Sequence, residues 1–166
     1  MHKVIILGFP LVFVFLSAKV IGDEILRGKC ERVLDGDTIE INKKRIRLWG
    51  IDAPEVSQKS FEGKEIGLIS KAFLSQLIEG KEIKVVITHR GYYGRMIGKI
   101  YLGKQFINFE MIKSGQALIG RGVVRGKMLE HQARIKRRGM FATSGFHTPW
   151  YYRKLVKNFN TSIKPN

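Results

Sequence analysis

The chain has 166 residues, with 30 lysines and arginines against 14 aspartates and glutamates, a net charge of +16, and one cysteine. That length holds one domain of ordinary size and not two, and a lone Cys30 excludes an internal disulfide, so the domain depends on its core. The charge attracts polyanions without choosing among nucleic acid, an anionic membrane surface and an acidic polysaccharide.

Residues Val4 to Ala18 form an apolar run of 15, preceded by His2 and Lys3 and followed by Lys19. The run is shorter than the ~20 apolar residues of a membrane span. A basic start, an apolar middle and the modest side chains of Val20, Ile21 and Gly22 predict a secretory signal over residues 1–22. Export to the periplasm or the exterior is therefore expected, with an uncleaved N-terminal anchor as the lesser reading. Removing the signal takes Lys3 and Lys19 and no acid, so the remainder stays strongly basic.

Glu24 to Asp35 reads as extended, with Cys30 a buried structural thiol, and Asp35-Gly36-Asp37 is a turn signal. Thr38 to Ile41 alternates with period two, Asn42-Lys43 marks the next turn, and Arg45 to Trp49 alternates again. Arg45 and Arg47 thus share one strand face while Ile46 and Leu48 share the other. From Phe61 to Glu79 the period changes: Ile66, Ile69, Phe73 and Leu77 predict an amphipathic helix ended by Gly80. Lys81–Thr88 and Met96–Leu102 read as strands. Ile107–Lys113 reads as a short helix before Ser114-Gly115, and Lys127–Arg138 as a second long helix stopped by Gly139. The rest reads as irregular, with two of Trp150, Tyr151 and Tyr152 packing onto the domain and residues 154–166 a basic flexible tail. The predicted fold is α+β and mainly β: a five-stranded OB-type barrel with three helices over residues 23–153.

Four short pieces carry chemistry: Asp35-Gly36-Asp37-Thr38, Arg47, Asp52-Ala53-Pro54-Glu55 and Tyr93-Gly94-Arg95. Asp37 precedes one strand and Asp52 follows the next, so adjacent hairpins can bring both to one spot. A hard divalent cation takes such oxygen ligands, and Pro54 restricts the backbone so that the Ala53 carbonyl can join them. Glu55 is placed to act as a general base toward water. Arg47 and Arg95 have the planar fork that grips phosphate and offsets charge growing on phosphorus. Together these groups predict metal-assisted hydrolysis of a phosphodiester. Singly each piece is weak, since an Asp-Gly-Asp turn or an exposed strand arginine is ordinary structure.

The ordered set closely resembles the thermonuclease (staphylococcal nuclease-like, micrococcal nuclease) family. The likeness extends through Ile107-Asn108, Gly115-Gln116-Ala117 and Gly139-Met140-Phe141, with Phe141 in place of a tryptophan, and spans about residues 24–153. It implies calcium as the cation, with Asp37, Asp52 and the Ala53 carbonyl as ligands, Glu55 activating water, and Arg47 and Arg95 binding phosphate. It also implies that Asp35 lies near the metal and Tyr93 near the terminal phosphate, and Thr38 joins this surrounding group. The implied activity is endonucleolytic cleavage of DNA and RNA to 3′-phosphate ends, with unpaired or breathing regions favoured and a monomer expected. Three positions depart from the family pattern: Gly91 replaces an acid, Arg121 stands near a base-stacking tyrosine position, and the Val56–Ser60 loop is short.

Basic residues crowd the end of the chain: Arg125, Lys127, Arg134, Lys136, Arg137, Arg138, Arg153, Lys154 and Lys157, against Glu130 alone. A solvated helix face and contact with a phosphate backbone explain this run about equally well. The competing function is a catalytically inactive OB-type module that binds nucleic acid. It is disfavoured because such modules lose the acids or arginines kept here.

Overall fold

The computed structural model describes residues 24–91, 95–120 and 123–162. Strand β1 (Glu24–Asp35) is long enough to pair with β2 (Thr38–Ile41) at one end and with β5 (Glu82–Arg90) at the other, both antiparallel. Its register slips between Cys30 and Arg32 and between Val33 and Asp35, which bends the strand as a barrel wall requires. Asn42 and Lys43 both have positive φ, 50° and 59°, the backbone of a tight two-residue hairpin turn into β3 (Lys44–Leu48).

The barrel closes where β3 pairs in parallel with β6 (Met96–Leu102), itself antiparallel to β5. Closure needs a residue without a side chain at the seam. A Cβ on Gly98 would stand 2.7 Å from Val85 Cγ1 and 3.3 Å from Ile46 Cγ2, and the Gly98 carbonyl accepts from Trp49 N–H at 2.7 Å. The ring is thus β1-β2-β3-β6-β5, the predicted five-stranded barrel. Three two-residue strands decorate it: β4 (Ile51–Asp52), β7 (Gln105–Phe106) and β8 (Leu118–Ile119), with β4 antiparallel to β8. Buried Asn108 braces the seam, donating to the Trp49 and Gly98 carbonyls and accepting from Ile100 N–H.

Helix α1 (Ile66–Ile78) lies across β1, with Leu74 and Ile78 fully buried in the core that holds Cys30, Val33, Ile39, Ile41 and Ile46. Its buried face is Ile66, Gly67, Ser70, Leu74 and Ile78. Ile69 is exposed, so the expected stripe was drawn one step round the helix. The reason is close packing by small residues: Ser70 Oγ donates to the Gln116 carbonyl at 2.7 Å, and Gly67 admits the backbone of residues 55–58 against the helix. Helix α2 (Ile107–Lys113) has the expected bounds, and α3 (Lys127–Ile135) ends before a 3-10 turn at Gly139–Ala142. Burial pushes the Cys30 thiol up to about 11, with Glu79 nearby adding to it, so the sulfur stays protonated in the core.

The end of the chain corrects the expectation of an irregular stretch and a flexible tail from 154. Pro149–Ser162 is a helix, α4, the fourth α-helix among the described residues. Pro149 begins it, where a missing N–H is harmless. Tyr152, Leu155, Val156 and Phe159 recur at helical spacing along it. Of the three aromatics only Tyr152 is half-buried, while Trp150 and Tyr151 are exposed. No helix among the described residues is long and apolar enough to cross a membrane, and the expected signal segment, residues 1–22, lies outside them.

The contact of α1 with the chain beside Glu55 gives a test of this packing. A Cβ at position 67 would collide with the Glu55 carbonyl oxygen. Alanine is normally favoured over glycine in a helix by about 1 kcal/mol. Gly67→Ala should nonetheless destabilise the protein by roughly 1–3 kcal/mol, the usual scale of overpacking. Urea unfolding measures this, and a variant as stable as the parent would contradict the packing.

Candidate active site

Asp37 organises the site. It follows the Asp35-Gly36 turn, whose tightness is required: a Cβ at Gly36 would collide with Ser70 Oγ on α1 and approach Ala53 Cβ to 2.7 Å. The turn is closed by Asp37 N–H donating to Asp35 Oδ1 at 2.9 Å. The Asp37 side chain is therefore carried inward, and the residue is only 3% exposed. Its Oδ1 accepts from the Thr38 hydroxyl at 3.1 Å, and its Oδ2 from Ala53 N–H at 3.0 Å and Arg47 Nη2 at 2.8 Å. One carboxylate so joins the β1–β2 turn, β3 and the segment after β4.

Arg47 reaches it because β2–β3 register places it opposite Thr38, with Ile97 on its other side. The same Nη2 donates to Asp52 Oδ1 at 2.9 Å. Asp52 is fixed by pairing with Leu118 across β4–β8. Two carboxylates that share one guanidinium nitrogen are also close enough to share a cation, and both are hard oxygen donors of the kind calcium and magnesium take. Among the described residues no three acidic, histidine or cysteine side chains cluster as a metal-holding group. A cation at Asp37 and Asp52 would therefore draw further ligands from backbone carbonyls and water.

Burial pushes Asp37 up to about 7. The Arg47 charge works against that rise, while Asp35 adds to it. A buried carboxylate held this high gains from a second positive charge, so the site suits a cation as well as its donor set does.

Glu55 is half-buried two residues beyond Ala53. Gln58, which is fully buried, holds it: Glu55 N–H donates to Gln58 Oε1 at 3.3 Å and the Glu55 carbonyl accepts from Gln58 N–H at 2.8 Å. Asp35, Thr38, Arg45, Arg47, Glu55, Arg95 and Arg153 line one polar cleft of about 580 Å³. Arg95 is exposed on it, and Tyr93 lies outside the described residues, as does Arg121.

Two contributors were missed by sequence reasoning. Gln58 carries no motif; its only signal is an amide just after the acidic segment. Arg153 stands in the sequence only as one of the basic residues crowding the end of the chain, yet its Nη1 donates to Glu55 Oε1 at 2.7 Å and its Nη2 to both Asp52 oxygens at 2.9 and 3.0 Å. The α3 charges divide differently from a uniform patch. Arg134 donates twice to Glu130 Oε1 and lies over the Phe141 ring, and Arg138 donates to the Lys113 carbonyl, so these two are engaged within the fold.

Residues 45–143 match the family described as staphylococcal nuclease homologue. A protein of Escherichia coli O157:H7 described as an uncharacterized endonuclease is 34% identical over 152 residues, covering 87% of this chain and 95% of its own length. A micrococcal nuclease of Shigella flexneri is 31% identical over 150 residues, covering 80% of this chain and 83% of its own. The staphylococcal-like nuclease CAN1 of Arabidopsis thaliana is 38% identical over 121 residues, but the match takes in only 36% of that longer protein.

The raised Asp37 pKa has a signed consequence for protein free of divalent cations. The folded state binds this proton up to about pH 7, whereas an unfolded aspartate releases it near ~3.9. Stability from this group is complete below about pH 4 and is lost as pH rises toward 7. The thermal midpoint of the parent relative to Asp37→Asn should therefore fall across that window and then level off. Parallel pH profiles for the two proteins would contradict the burial of this carboxyl.

Proposed function

This chain belongs to the staphylococcal nuclease homologue family, and on that premise we propose that it is a calcium-dependent endonuclease hydrolysing phosphodiesters of DNA and RNA. The observation that supports the reading most is that Arg47, which lines the cleft with Glu55 and Arg95, joins Asp37 to Asp52 beneath it. A cation site, a base and phosphate-binding arginines are all that such a reaction requires of side chains.

Asp37 and Asp52, with the Ala53 carbonyl, would hold the calcium ion. When bound, the ion supplies positive charge against the phosphodiester and lowers the cost of charge growing there. Glu55, kept in place by Gln58, takes a proton from the attacking water. The water oxygen bonds to phosphorus, the bond from phosphorus to the 5′-oxygen breaks, and that oxygen leaves as a hydroxyl by taking a proton from solvent water, to which Glu55 returns the proton it took. A 3′-phosphate remains. Arg47 and Arg95 grip the non-bridging oxygens and balance their charge. Asp35 and Thr38 steady Asp37, while Tyr93 is assigned to the substrate phosphate by resemblance only.

An open cleft on an OB-type barrel tracks a single strand, so unpaired and breathing regions are the preferred substrate. We propose export, on the strength of the N-terminal apolar run, and a monomer, as the resemblance implies. One observation favours the alternative of a non-catalytic nucleic-acid-binding module: Arg153 already neutralises Glu55 and Asp52.

Digestion of poly-thymidine, a GC-rich duplex and RNA by the purified chain separates the two readings. Cleavage should require calcium at roughly 0.1–1 mM or above, the range of extracellular sites with few carboxylates, with magnesium a poor substitute. Chelator should abolish it, and an unchanged rate in excess chelator would remove the cation from the account. Arg47→Ala and Arg95→Ala should each lower turnover by at least ~10²-fold, the scale of losing one charge donor in the transition state. A well-folded variant with a near-parent rate would end that arginine's assignment.

A further inference from the structure

Helix α4 brings into the cleft a guanidinium for which the proposed reaction has no role. Arg153 forks across two acids, with Nη1 on Glu55 and Nη2 on both oxygens of Asp52, at 2.7 to 3.0 Å. The helix start is anchored beside it. The Tyr152 hydroxyl meets Ser57 Oγ at 3.1 Å and the Ser57 carbonyl at 3.3 Å, and Gln58 Nε2 donates to the His147 carbonyl at 2.6 Å. Gln58 thus braces both Glu55 and the approach to α4.

Arg153 therefore occupies the carboxylates that the proposed function assigns to the cation and the water. A guanidinium and a divalent cation repel each other, so neither Arg153 nor Arg47, which also reaches Asp52 Oδ1, can hold that carboxylate on equal terms with the cation. Arg153 also lines the same cleft as Arg47 and Arg95, and its side chain is 38% exposed. An arginine stem is long enough for the guanidinium to leave one group for another within a cleft by rotamer change, with the helix in place.

We propose that Arg153 is a third substrate-binding arginine, released by the cation. In the cation-free protein it is the counter-ion of Asp52 and Glu55. A divalent cation taking Asp52 frees the guanidinium, which then binds the phosphodiester lying along Arg47 and Arg95. Cation and nucleic acid consequently favour each other's binding, and Glu55 is unmasked only when both are present. This rests on the nuclease reading above and adds to it a residue from outside residues 45–143, the part matched to the family.

The test uses the full chain and Arg153→Gln, with Arg153→Lys as a variant that keeps the charge and loses the fork. Calorimetry with calcium alone should show Arg153→Gln binding the ion about three- to ten-fold more tightly than the parent, as expected from freeing a partly exposed, charge-assisted pair. Anisotropy with a labelled phosphorothioate oligothymidylate should show the variant binding it about three- to ten-fold more weakly in calcium, and weakened by a clearly smaller factor in chelator, where only the general loss of one positive charge acts. Arg153→Lys should fall between the two in both measurements. Equal calcium affinity in parent and Arg153→Gln would overturn the proposal, as would equal weakening in calcium and chelator, which marks a general charge effect. A parent that bound neither calcium nor oligonucleotide would sink the nuclease reading itself, whereas a parent that binds both, matched by the variant, sinks only the role of Arg153.

Discussion

A carboxylate that is 3% exposed must be surrounded by donors or stay protonated, and the candidate site is arranged around that demand at Asp37. Its oxygens take a hydroxyl, a backbone N–H and a guanidinium from three parts of the chain. Each donor fixes something else. Ala53 N–H brings Asp52 and Glu55 alongside, and Arg47 carries the link on to Asp52. The glycine at 36 is the price of that proximity, since the turn is pressed against Ser70 and Ala53.

The barrel makes the demand satisfiable. Alternation along β3 turns Ile46 and Leu48 into the core and Arg45 and Arg47 out to the cleft. Closure of β3 on β6 through Gly98 then positions Arg95 at the start of the neighbouring strand. Asp37 comes from the β1–β2 turn, Asp52 from β4 and Arg47 from β3, so charge of both signs meets at the edge of the barrel. Two guanidinium groups, those of Arg47 and Arg153, balance the acids Asp37, Asp52 and Glu55.

Local pattern made most of this legible. Period-two runs marked β2, β3 and β6, the Asn42-Lys43 turn marked the first hairpin, and α2 was bounded by Ser114-Gly115 as read. Family membership and the barrel follow directly from such runs and motifs. The face of α1 was misjudged because close packing by Gly67 and Ser70 outweighed the larger Ile69, a preference no hydrophobic count registers. Helix α4 was missed although Thr148-Pro149 and the Tyr152, Leu155, Val156, Phe159 spacing mark it; its many basic and aromatic residues masked that period. Contacts from Arg153 to Glu55 and Asp52 span about a hundred residues of chain, and only the folded structure brings them together.

The central claim is that Asp37 and Asp52, bridged by Arg47, form a cation site beside a phosphate-binding cleft. A crystal structure of the protein grown with calcium and a short, cleavage-resistant thymidine oligonucleotide tests it most directly. The account predicts calcium on Asp37, Asp52 and the Ala53 carbonyl, a phosphate held by Arg47 and Arg95, and Arg153 moved from Asp52 to the nucleic acid. Calcium bound elsewhere, with Arg153 still forked across Asp52 and Glu55 and the oligonucleotide outside the cleft, would contradict it.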